Sequence, residues 1–176
     1  MLLRKINAII SLLTTLFLLD HAIFTSVWML SQGRVEQSAP IAPWILAGLM
    51  AVHAFISIYF AIEAHMEGDK RKVKSYPQMN RVTIFQRISG ILLIVFTALH
   101  IAGASGAIQP PHIVHTILSP LFFLVALAHT AVSTDKAFIT LGIGNARFVK
   151  AVSVIIKVIC AATLIAAVIG FYLHVW

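Results

Sequence analysis

The chain has 176 residues, of which 60% are hydrophobic and 11% charged, with a mean hydropathy of +0.95. Soluble domains run at roughly 45–50% apolar, so this composition excludes an ordinary water-soluble fold. The formal charge of +7 lies almost wholly in short connecting segments, where it reports membrane orientation rather than a nucleic-acid surface.

A membrane-crossing helix needs about 20 apolar residues. Five stretches qualify: Ile6–Leu30, Ile41–Ile62, Val82–Ala102, Ile113–Val132 and Phe148–Leu173. Hydrocarbon requires closed backbone hydrogen bonding, so each run is read as a helix. The expected fold is an all-α integral membrane bundle of five helices, a single domain over residues 1–176. Arg4 and Lys5 before the first run imitate a secretory signal. That run is too long, carries Asp20 and His21 and lacks a cleavage site, so it is read as the first span.

The connections set the topology. The second holds Lys70, Arg71, Lys72, Lys74 and Arg81, with Arg87 at the next helix entrance. The fourth holds Lys136 and Arg147, with Lys150 and Lys157 on early turns of the fifth span. The first connection has only Arg34, and Gly103–His112 has no Lys or Arg. The positive-inside rule then predicts a cytoplasmic N-terminus and an exterior C-terminus. Trp28, Trp44 and Trp176 fall at the expected exterior ends, where amphipathic rings favour the interface. Pro110-Pro111 opens the fourth span, and Pro120 inside it is expected to kink it. The lone Cys160 permits neither an internal disulfide nor an iron–sulfur cluster, and no C-x-x-C-H occurs. It is read as packing.

The eight histidines carry the functional signal. His21, His53, His100 and His129 lie deep in four successive spans, whereas His65, His112, His115 and His174 lie near span ends. An ionisable group at membrane depth is costly and marks a functional site by default. Neutral imidazole is a good axial ligand for iron, and facing helices supply such ligands in pairs. Four of them suit two bis-histidine b haems. A proton relay calls for intramembrane carboxylates, but only Asp20 and Glu63 come near; a metal-ion pathway favours carboxylate or cysteine partners. At about 1.5 Å rise per residue, His21 stands about 22 Å above Ile6 and His100 about 21 Å above Gln86, at matching depth. For the second pair, depth leaves His53 and His65 both open opposite His129.

Gln86-Arg87-Ile88-Ser89-Gly90, followed by His100 at a fourteen-residue interval, resembles the third span of a known family. So does His129 with the tail Lys136-Ala137-Phe138-Ile139-Thr140-Leu141-Gly142-Ile143, and Val52-His53-Ala54 with Tyr59 after it. Leu19-Asp20-His21 fits the first-span ligand in position. The family is the five-helix dihaem cytochrome b anchor of bacterial succinate dehydrogenases and quinol:fumarate reductases. The resemblance runs from about Leu12 to Gly144. It implies two haem b groups, the distal one on His21 and His100 and the proximal one on His53 and His129, with iron as the metal they hold. It favours His53 over His65.

It further implies electron transfer between a membrane quinone, of the menaquinone type, and cytoplasmic iron–sulfur and FAD flavoprotein subunits, in the bacterial cytoplasmic (inner) membrane. Dicarboxylate chemistry would be done by those partners, and quinone chemistry on this chain. The chain departs from the family in its short connections and in Thr130-Ala131-Val132 after the fourth-span histidine. Arg87 and Ser89 are expected at haem propionates, since the arginine fork suits carboxylates. Gly90 is expected to admit a porphyrin or a neighbouring helix, and His112 and His115 to be solvated. Asp20 is a candidate for quinol-linked proton transfer or for helix packing. The cationic run Lys70–Lys74 with Arg147 and Lys150 would meet anionic lipid or a soluble subunit. The competing class is a haem-free transporter or structural membrane anchor.

Overall fold

The computed structural model describes residues 2–31, 41–70, 77–108, 112–143 and 145–175. Five helices account for nearly all of them: α1 (Leu2–Leu30), α2 (Ile41–Lys70), α3 (Pro77–Ala104), α4 (His112–Leu141) and α5 (Ala146–Val175). Each contains a stretch long and apolar enough to cross a membrane.

The helices outrun the apolar runs that announce them. α2 continues through Glu63 to Lys70, and α3 begins at Pro77, where a missing amide proton costs nothing. α4 stays helical through Pro120 and on past Val132. Lys136 therefore lies on a helix, not in the fourth connection. The α4 stop is a Schellman turn: Gly142 takes φ +79°, its amide reaches Ile139 O at 3.1 Å, and the Ile143 amide reaches Phe138 O at 3.1 Å. Asn145 then caps α5, its Oδ1 accepting from the amides of Arg147 and Phe148 at 3.2 Å each.

Burial is inverted relative to a water-soluble bundle. The buried positions are mostly small: Ala8, Ala126, Ala137, Ala167, Ser11, Thr15, Ser26, Thr130, Thr134, Ser153 and Thr163. Large apolar side chains face outward, Phe55 at 75% and Ile139 at 71% exposure among them. Helices that share a bilayer with lipid gain nothing by hiding leucine, so close approach of small residues holds them together. Hydroxyls at these contacts bond the carbonyl one turn back, as Thr15 does to Ser11 O at 3.0 Å and Thr134 to Thr130 O at 2.8 Å.

Close backbone packing joins α1 to α2, α4 and α5, and joins α4 to α3 and α5. Cross-helix contacts fix an alternating direction. Asn7 meets His53, Phe96 meets Phe122 at 6.1 Å, and Phe138 meets Phe148 at 6.5 Å. The starts of α1, α3 and α5 and the ends of α2 and α4 thus gather at one end, the N-terminal end below. Half-buried Cys160 lines an apolar seam among α1, α4 and α5, in keeping with a packing role.

Candidate functional site: two histidine pairs

The four deep histidines fall on α1, α2, α3 and α4, on helix pairs that are not closely packed on each other. His21 on α1 and His100 on α3 bring their rings to 6.4 Å between centroids, inclined by 72°. Phe122 backs His100 at 5.5 Å. The α1–α3 pair is not among the closely packed ones, and neither is α2–α4, which carries His53 and His129. Those two lie within electrostatic reach of each other.

The pairs occupy two levels. Asn7 on α1 is level with His53, and Ser89 and Gly90 on α3 are level with His129. From those reference points His21 is fourteen residues further along α1, and His100 ten beyond Gly90 on α3. At about 1.5 Å per residue the levels are about 15–21 Å apart along the helices. Among the described residues no three His, Cys, Asp or Glu side chains gather in one group. The histidines come in twos.

Hydrogen bonding engages Nδ1 of both rings at the N-terminal level. Asn7 Oδ1 can only accept, so at 3.1 Å it requires a proton on His53 Nδ1; Asn7 Nδ2 in turn donates to Ser57 Oγ at 3.4 Å. Ser89 sends its own proton to Phe85 O at 2.8 Å, leaving its lone pairs toward His129 Nδ1 at 2.9 Å. Nδ1–H tautomers with the lone pair on Nε2 satisfy both bonds. A carbonyl or hydroxyl holding the far nitrogen of a metal-binding histidine orients the ring and raises its basicity. Gly90 lets the ring sit close, since a Cβ there would stand 3.4 Å from His129 Cε1.

Ser89 is 4% exposed, and its hydroxyl is engaged by His129 Nδ1 and the α3 backbone. Arg87 is exposed and lies within electrostatic reach of Lys136. Lys136 donates to Gln86 Oε1, and Gln86 Nε2 donates to Ser133 Oγ at 3.4 Å. His129, Ser133 and Lys136 thus form one stripe of α4 against Gln86, Ser89 and Gly90 of α3. Among the described residues the one ion pair is Lys157–Asp135 at 3.3 Å, so Arg87 and Lys136 face each other without a described carboxylate.

Asp20 is exposed on α1 beside His21. The side chains of His65, His112, His115, His174 and Lys70 lie outside the described ones, as do residues 71–76, 109–111 and 176, which include Arg71, Lys72, Lys74, Pro110, Pro111 and Trp176.

The His21 and His100 rings, 6.4 Å apart between centroids, are the residues that would hold an ion or haem iron at this level, neutral imidazole being a good ligand for it. No family model, curated protein or solved structure searched matches this chain. The comparisons therefore lend no support to the resemblance read from the sequence, and the case for function rests on the residues themselves.

Proposed function

We propose that this chain is a dihaem cytochrome b that anchors an electron-transfer complex in the bacterial cytoplasmic membrane. Its haems are held by His21 with His100 and by His53 with His129. It passes electrons between a membrane quinone, of the menaquinone type, and the iron–sulfur and FAD subunits of a succinate dehydrogenase or fumarate reductase. The observation that carries this reading is the pairing itself: four imidazoles arranged two by two, across helix pairs that are not closely packed. A flat cofactor held by such a pair would need a gap of this kind. When bound, the haems would supply one-electron transfer between the two levels.

The chain's own residues support the arrangement. Asn7 and Ser89 hold Nδ1 of the second pair and leave Nε2 for iron. Arg87 and Lys136 are cations two turns or less from that level, placed to hold propionates. Arg4, Lys5, Arg81, Arg87, Lys136, Arg147 and Lys150 all belong to the N-terminal end, which the positive-inside rule makes cytoplasmic and places facing the soluble partners. The C-terminus is then exterior.

The second reading is a haem-free transporter or structural anchor. It has one observation in its favour, that two rings at 6.4 Å and 72° also satisfy an ordinary edge-to-face contact. A pyridine haemochrome on the purified chain separates the two. The expected value is two haems per chain, falling to one in His100→Ala; less than one in the well-folded wild type refutes the proposal.

A further inference from the structure

We propose, independently of the electron-transfer reading above, that the outer edge shared by α4 and α5 is the contact surface for a second copy of this chain, with Asp135 and Lys157 at its centre. Both residues lie inside the stretches long and apolar enough to cross a membrane, Ile117–Leu141 and Arg147–Gly170. Lys157 Nζ meets Asp135 Oδ2 at 3.3 Å, and each side chain is 43% exposed. Asp135 stands six residues before the end of α4, about 9 Å at about 1.5 Å per residue. Lys157 stands eleven residues after the start of α5, about 16 Å by the same measure.

The pair faces away from the bundle. On α4, helical spacing groups Asp135 with Leu121, Leu124 and Ile139, all three exposed. That stripe is neither the one against α3, formed by His129, Ser133 and Lys136, nor the buried one of Ala126, Thr130, Thr134 and Ala137. On the adjoining edge of α5, Val154, Val158 and Ile165 are exposed as well. These aliphatic side chains match lipid tails. The ion pair does not. Charged side chains at membrane depth ordinarily turn into the bundle or into water, because hydrocarbon offers them no hydrogen bonds. Mutual attraction offsets only part of that cost, and the bond to Asp135 uses one of the three N–H donors of Lys157.

A second copy supplies the missing polar cover by symmetry. Copies inserted in one membrane share one orientation, so a twofold axis relating them runs along the membrane normal and keeps every atom at its own depth. Across such an axis a surface patch meets itself. A lone charge there would repel its own copy. A cation and an anion side by side at one depth are instead self-complementary: Asp135 faces Lys157 of the partner subunit, Lys157 faces Asp135 of the partner subunit, and the two pairs close into a ring of four alternating charges.

The test counts copies of the full, haem-loaded chain by single-molecule photobleaching in vesicles of phosphatidylcholine and phosphatidylglycerol, over a range of dilutions. The wild type is expected to be dimeric. Asp135→Leu combined with Lys157→Met leaves no charge unpaired and is expected to weaken the dimer about tenfold or more, as loss of a close interfacial charge pair does. The exchanged pair, Asp135→Lys with Lys157→Asp, keeps the bond within each chain. It is expected to dimerise with itself yet to exclude wild-type copies, because like charges then meet across the axis. Differently tagged chains expressed together should therefore sort by type, each retaining its own kind about tenfold better than the other. Circular dichroism and haem content on the same samples establish that each variant is folded. A wild type that stays single at every dilution overturns the proposal, as does a neutral variant that dimerises as tightly as the wild type. Free mixing of folded wild-type and exchanged chains overturns it too. Should the exchanged variant not fold, the neutral variant decides.

Discussion

Replacing Ser89 by alanine isolates one atom of the second histidine pair. The hydroxyl is buried and bonded to His129 Nδ1 at 2.9 Å. Its other bonds, to Phe85 O and Gln86 O, are back-bonds whose loss leaves those carbonyls their helical partners. The cost therefore falls on the imidazole. An unpartnered buried N–H costs about 1–3 kcal/mol. Loss of the group orienting a metal-bound histidine typically lowers metal affinity about 10–100-fold, which is about 1.4–2.8 kcal/mol at 1.4 per decade. The two routes agree. Ser89→Ala is thus expected to release one of two haems about 10–100 times faster, measured by transfer to a haem-scavenging globin, while the other stays at the wild-type rate. On the dihaem reading, the less basic His129 would also raise the midpoint potential of that haem alone. Ser89→Thr, which keeps the hydroxyl, restores both values. Identical release and potentials in wild type and Ser89→Ala, with helicity intact by circular dichroism, refute the orienting role.

Gly90→Ala is expected to leave both haems bound, since its Cβ meets His129 Cε1 at 3.4 Å, whereas Gly90→Leu displaces the ring and lowers the haemochrome value from two to one. Lys157→Met leaves Asp135 unpaired. Both side chains are 43% exposed, so the expected loss is about 1 kcal/mol or less in detergent. Adding Asp135→Asn should recover most of it in a double-mutant cycle of thermal stability, and additive losses disprove the coupling. In a Cys160→Ala background, Ser105→Cys should react with an impermeant maleimide on intact cells and Ile143→Cys only after permeabilisation. The opposite pattern inverts the topology.

The five helices were legible because hydropathy reports the thickness a bilayer demands. Their ends were not, because a helix continues into the polar interface until a cap stops it. The apolar run fades at Val132, yet α4 ends only at Leu141, nine residues further on, where Gly142 stops it. Misplacing that end put Lys136 in a loop and hid its place beside Gln86 and Arg87. The four histidines stood out for their chemistry against an apolar background. Asn7 did not: it lies 46 residues from His53, and only α1–α2 packing brings them together. Ser89 was noticed for its place two residues after Arg87. Two steps along a helix turn about 200°, so Arg87 is exposed while Ser89 turns into α4.

The isolation of α3 has a consequence for biogenesis. Its close packing is with α4, and its reach toward α1 is through the ring of His100 at His21. A ligand clasped between those rings would complete the attachment of α3 to the rest of the chain. Maturation would then have an order: α1, α4 and α5 form a frame, and α3 closes against it as the cofactor arrives. An unloaded chain would leave that helix attached along one edge, which would give membrane quality control a feature by which to distinguish empty chains from finished ones.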